Sequence, residues 1–134
     1  MGLVCPAFAQ NPDAARSAAR GMMERKLYRD AVRVLLAEVK SLPEDQASLF
    51  HLMLAESYYM QKEYATARPY YLKAQRFLSE DDLDNRVIVE YRLACVAYRM
   101  NDAAGAAKLT EAFLSKRPND SRSGSLLLFK MQAL

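Results

Sequence analysis

The sequence predicts an all-α solenoid of three helix-turn-helix repeats followed by a terminal helix. Three observations carry this expectation. Alanine and leucine abound while glycine and proline number only 4 and 5 in 134 residues, a mix that favours helix over sheet. One spacing recurs: Ala19 to Ala31, Ala55 to Ala67 and Ala94 to Ala106 are each twelve residues apart, and helix pairs of fixed period are the mark of stacked repeats. Helix-start signals then punctuate the chain at Asn11-Pro12-Asp13, Pro43-Glu44-Asp45 and Ser79-Glu80-Asp81-Asp82. At this length roughly two-thirds of the surface is buried on folding, so a core forms without staples.

Residues 1–10 are apolar, uncharged and interrupted by Pro6, unlike the rest. Ala7-Phe8-Ala9 has the small-x-small form that precedes a signal-peptidase cut, but the apolar stretch before it is short and lacks a basic lead. Two readings stand: the remnant of a signal, with a mature chain beginning near Gln10, or a plain apolar arm. The folded domain is expected over 11–134.

The first helix starts where Asn11 caps, Pro12 takes the first turn and Asp13 meets the positive end of the helix dipole. It runs to about Glu24 with a narrow small-residue face of Ala15, Ala18, Ala19 and Met22. A turn at Arg25–Leu27 leads to a second helix, Tyr28 to about Lys40, whose apolar face is Ala31, Val32, Leu35, Leu36 and Val39. The third helix is expected from Pro43-Glu44-Asp45 to Met60, presenting Leu49, Leu52, Met53, Tyr58 and Tyr59. After Gln61-Lys62-Glu63, a fourth helix spans Tyr64 to about Phe77, and Pro69 requires it either to begin near Arg68 or to kink there. Ser79 with Asp82 reads as a capping box, which starts a long fifth helix at Glu80 and carries it to Met100. Asn101-Asp102 turns the chain into a sixth helix, Ala103 to about Ser115; Arg117-Pro118-Asn119-Asp120 ends it, and a seventh runs to the C-terminus.

Aligned on their small residues, the copies cover about 12–45, 48–81 and 87–120, with the terminal helix over about 121–134. The middle copy reads Leu54-Ala55-x-x-Tyr58, answered by Ala67-x-x-x-Tyr71. The first has Ala18-Ala19, Ala31, Leu35 and Pro43; the third has Leu93-Ala94, Ala106, Thr110 and Pro118. This pattern resembles the tetratricopeptide repeat, with alanine in place of the family's glycine and a period of 36 then 39 residues against its roughly 34. Small residues let paired helices touch, and large ones fill the gap between pairs. The resemblance implies a right-handed superhelical solenoid whose first helices line a concave groove. The groove positions it implies are Arg16, Arg20 and Met23; Leu52, Glu56, Tyr59 and Met60; and Ile88, Tyr91, Cys95, Tyr98 and Arg99. Tyrosine and arginine commonly anchor interfaces. The resemblance therefore implies a scaffold or adaptor gripping a partner peptide, with a chaperone-like holder of a secreted or envelope protein as the alternative. The Lys/Asn clamp of one subtype is not evident, since its asparagine position holds Arg20, Glu56 and Cys95. A lengthened linker, the Arg-Pro-Asn-Asp-Ser helix end and the arm are similar in style to repeat domains of bacterial cell-envelope proteins, which implies a periplasmic location, with the cytoplasm as the alternative.

Other function classes find less support. Charge runs +3 over residues 11–40, −3 over 41–86 and +3 over 87–134, not the single basic stripe of a nucleic-acid binder. No apolar run approaches the roughly 18 residues of a membrane span. Cys5 and Cys95 have no metal spacing and read as free thiols. His51 is the only histidine, no Gly-rich phosphate loop exists, and Glu80-Asp81-Asp82-Asp84 lacks the glycine and ligand spacing of a calcium loop. The chain thus reads as a non-enzyme without metal or cofactor. On the last helix, Leu127, Met131 and Leu134 lie on one side and Leu126, Phe129 and Ala133 on another. Either it opens a fourth repeat, or its outer face, with Leu126, Phe129 and Leu134 as candidate contacts, forms a homodimer.

Overall fold

The computed structural model describes residues 11–132, the side chains of the last two excepted. The described chain is all-α: seven α-helices, one 3-10 turn and no strand. They are α1 Pro12–Glu24, α2 Tyr28–Val39, the 3-10 turn Glu44–Gln46, α3 Ser48–Met60, α4 Tyr64–Phe77, α5 Leu83–Arg99, α6 Ala103–Lys116 and α7 Ser123–Gln132. Packing runs α1 on α2, α2 on α3, α3 on α4, α5 on α6 and α6 on α7, consistent with a helical repeat. The chain divides into two compact units, Met1–Leu78 and Ser79–Leu134. No described helix is long and apolar enough to cross a membrane.

The repetition is written in the backbone. Lys26, Lys62 and Asn101 are the described non-glycine residues with positive φ, at 62°, 64° and 60°. Each sits two residues after a first helix and two before a second, and their separations are the 36 and 39 residues of the alanine pattern. Each turn closes with the same two hydrogen bonds. Leu27 N–H donates to Met22 C=O (2.8 Å) and Lys26 N–H to Met23 C=O (2.9 Å). Glu63 to Tyr58 and Lys62 to Tyr59 (both 2.9 Å) repeat the pair, as do Asp102 to Ala97 (2.9 Å) and Asn101 to Tyr98 (3.1 Å). This is the Schellman arrangement, in which one left-handed residue satisfies the orphan carbonyls of a helix end. Around each turn the pattern residues are in the core: Ala19, Ala55 and Ala94 before it, Ala31, Ala67 and Ala106 after it, then Leu35, Tyr71 and Thr110. A larger side chain at these alanines would push paired helices apart, at a typical cost of about 1–3 kcal/mol.

The first unit has a continuous core of Ala15, Ala19, Ala31, Leu35, Phe50 and Leu54, with Met22, Met23, Val32, Leu36, Val39, Met53 and Tyr58 packed around it. Asn11 caps α1 as expected, accepting from the Ala14 N–H at 3.1 Å. Pro43 starts only a 3-10 turn, and α3 begins at Ser48. The inward face of α3 also differs from expectation. Phe50, His51, Leu52, Leu54, Ala55 and Ser57 are buried, whereas Leu49, Met53, Tyr58 and Tyr59 are half-buried. This helix is apolar nearly all round, and such a helix has no single face for periodicity to pick out. α4 begins at Tyr64, so a start near Arg68 is excluded; Pro69 lies inside it. The Ala65 carbonyl loses its helical donor there, but Ala65 and Pro69 are both exposed and water can reach it.

In the second unit, Asp82 rather than Ser79 caps α5. Asp82 accepts from the Asn85 N–H at 3.4 Å and its side-chain amide at 2.9 Å, while Ser79 Oγ accepts only from the Asp81 N–H, at 3.2 Å. The helix therefore starts at Leu83. The wider second period comes from longer helices: the link between α4 and α5 spans 78–82, shorter than the 40–47 link between α2 and α3. α7 turns its Leu126 side fully into the core and leaves Leu127 and Leu128 exposed.

Candidate functional site

In the first unit, α1 and α3 bound a groove of about 360 Å³ lined by Arg20, Met23, Glu24, Tyr28, Met53, Glu56 and Met60. Its volume falls within the range of small-ligand and side-chain pockets. Helical periodicity builds it: Arg20, Met23 and Glu24 form one stripe of α1, and Met53, Glu56 and Met60 form one stripe of α3. The repeat sets them opposite each other, because Arg20 and Glu56 are equivalent positions 36 residues apart, as are Glu24 and Met60. Tyr28, the first residue of α2, completes the lining.

The chemistry of the lining is mixed. Three thioethers and a phenol ring supply apolar, polarisable surface, and Arg20, Glu24 and Glu56 supply charges of both signs. Methionine side chains are flexible and adapt to irregular partners. Glu56 is fixed from behind by the buried Tyr71 of α4, whose hydroxyl donates to its carboxylate. Met60 is 48% exposed and stands at the rim, whereas Met53 and Met23 are half-buried.

Of the groove residues expected from sequence, Arg20, Met23, Glu56 and Met60 meet here. Leu52 is 6% exposed and Cys95 1%, so both are corrected to core positions that a partner cannot reach. Arg16 pairs with Asp13 at 3.2 Å, and the Tyr59 ring packs edge-on against Tyr64 at 5.1 Å. In the second unit Tyr98 stacks on Phe129, with ring centroids 4.2 Å apart and planes 11° from parallel. Phe129 thus already spends one ring face inside its own unit. Leu126 is completely buried and is corrected from oligomer contact to core; Leu134 lies outside the described residues, as do Cys5 and the Ala7-Phe8-Ala9 motif. Tyr91 packs at 6.1 Å from Phe113; burial, then Cys95, raise its hydroxyl above the ordinary tyrosine range. Ile88 is half-buried and Arg99 exposed.

Sequence reasoning missed Glu24, Tyr28 and Met53. The first and last follow from same-face spacing with Arg20 and Glu56, so a helical stripe would have found them. Tyr28 carried no such signal, because it belongs to the second helix.

His51 is buried on α3, with Nδ1 lacking a partner and its ring 6.0 Å from Tyr70. Tyr70 stacks on Tyr58 at 5.7 Å and carries Lys73 Nζ over its face at 5.8 Å. Burial first, then the Lys73 charge, push the imidazole below its ordinary value, against a smaller opposing pull from Glu44. Among the described residues no group of three or more His, Cys, Asp or Glu side chains is placed to hold a metal ion.

In the second unit a three-residue ionic contact ties α5 to the end of α6. Glu90 on α5 accepts from Arg117 (2.8 Å) and Lys116 (3.3 Å) at the end of α6. Burial alone would raise its carboxyl, but the hydrogen bonds and charges of Arg117 and Lys116 outweigh it and hold the group below the ordinary glutamate value. Compared with known proteins, the chain matches no protein-family model and no curated protein.

Proposed function

We propose that this chain is a non-enzymatic interaction module of tetratricopeptide-like repeats, docking an apolar segment of a partner protein in the α1–α3 groove. The observation that carries the reading is the groove lining: three methionines and a tyrosine flanked by opposite charges at equivalent repeat positions. Apolar anchors in such a groove supply area, and rim charges set register and partner choice. Methionine's adaptability also favours the chaperone-like holder as a second reading, since re-packable surfaces accept more than one sequence. The reading extends to the cell envelope, tested by fractionation and N-terminal sequencing of the native protein.

The decisive variant is R20E/M60E, whose two side chains are exposed, so the fold should survive. Affinity capture from native extracts should lose its protein partner with this variant. The partner should persist with R33E/M100E, exposed residues that do not line the groove. A partner retained by R20E/M60E would overturn the groove assignment.

A further inference from the structure

We propose that methionine oxidation switches this groove off, making partner docking sensitive to hydroperoxides. The inference rests on the docking role proposed above. Three of the seven lining side chains are methionines, and Met60 at the rim is 48% exposed. In the oxidation the Met60 sulfur attacks one peroxide oxygen. The S–O bond forms as the O–O bond breaks, sulfur loses two electrons, and the other peroxide oxygen leaves as water after taking up the proton released from the transferred one. The product, a sulfoxide, is polar and a strong hydrogen-bond acceptor, whereas the thioether it replaces is apolar.

The geometry makes that change consequential. Methionines are three of the four apolar side chains in the lining, the fourth being Tyr28, so no Leu, Ile or Val stands in for a thioether that has become a sulfoxide. An apolar anchor seated there would bury the new oxygen away from water, a cost of the kind any unpaired buried polar group carries. The lining's own donors, Arg20 and Tyr28, are the groups available to the sulfoxide, and turning toward it narrows the space for a partner. Met100 is also exposed (39%) but is not part of the lining, and provides an internal comparison.

The test uses the full chain and anilinonaphthalene sulfonate as an apolar groove probe, with R20E/M60E reporting how much of its binding is groove binding. Protein is treated with graded hydrogen peroxide, sulfoxide at each methionine is quantified by mass spectrometry, and dye affinity is measured. Wild type should lose roughly tenfold in affinity as Met60 oxidises, followed by Met23 and Met53. A methionine sulfoxide reductase with dithiothreitol should restore it. M23L/M53L/M60L, a nearly volume-conserving change, alters the lining itself, so its own untreated affinity is the reference; that affinity should not fall with peroxide, and M60L alone should lose most of the sensitivity, which covers a folding defect in the triple variant. M100L should behave as wild type. Unchanged affinity with Met60 fully oxidised, or equal sensitivity in the leucine variants, overturns the inference and leaves docking intact. Reduced wild type that binds no dye beyond R20E/M60E defeats the docking role, and the switch with it.

Discussion

Replacing Lys62 by glycine should stabilise this protein, although glycine normally weakens a helical chain. Lys62 is held at φ 64° in the turn between α3 and α4. A residue with a Cβ pays roughly 1–2 kcal/mol for the left-handed region, because Cβ crowds the following carbonyl. Glycine escapes that cost but gives up about 0.5–1 kcal/mol more backbone freedom on folding. The balance is a net gain of about 0.5–1 kcal/mol for Lys62→Gly, and the same for Lys26→Gly at φ 62°. Asn101 supplies the contrast at φ 60°. Asparagine tolerates this conformation through local hydrogen bonding, so Asn101→Gly should change stability by at most a few tenths of a kcal/mol in either direction. Thermal melts followed by circular dichroism would show a rise of roughly 2–4 °C for each lysine variant and little change at Asn101. Both turn hydrogen bonds are main-chain bonds and survive every substitution, so the series isolates the conformational term. If both lysine variants melted below wild type, the left-handed turns would be wrong, and with them the structural equivalence of the three helix pairs.

Three further outcomes follow from the polar contacts. Glu90→Gln removes the charge facing Arg117 and Lys116 and should cost about 1–2 kcal/mol in urea unfolding at neutral pH. Because the folded Glu90 value is depressed, its contribution is full above the ordinary glutamate value of 4.5 and disappears as pH falls through the lowered one; the variant should lose that part of the acid slope. His51 works in the same direction for a different reason: its folded value lies below 6.5, so the unfolded chain takes up a proton first and stability falls as pH drops from there toward the folded value. His51→Leu should flatten that window while changing neutral-pH stability by no more than about 1 kcal/mol, and a slope unchanged by the substitution would refute the burial account. Tyr71→Phe removes the hydroxyl that fixes Glu56 and should cost about 1.5–3 kcal/mol; a loss near zero would mean that water replaces the contact.

The helix pairs were largely legible in the sequence because their signals are local. Asn11-Pro12-Asp13, the twelve-residue alanine spacing and the three short turns each act within one or two helical turns of chain. Boundaries slipped where two local signals competed, as when Asp82 displaced Ser79 as the cap of α5 and Pro43 produced only a 3-10 turn. The site was less legible. Four of the expected groove residues share one pocket, but Leu52, on the same α3, and Cys95, on α5, are core. Periodicity assigns a residue an angle around its helix; it does not say what stands opposite that angle. Hence Leu126 could be read as surface, although α7 packs that side inward.

Sequence alone determined that the chain is helical, where its turns fall and which alanines bring paired helices together, because backbone dihedrals and helix spacing depend on near neighbours. Tertiary structure decided accessibility. It buried His51 under Tyr70, spent Phe129 on Tyr98, and assembled Arg20, Met23, Tyr28, Met53 and Met60 around one groove. Such groupings depend on contacts between residues far apart in the chain, which form only when whole helices pack.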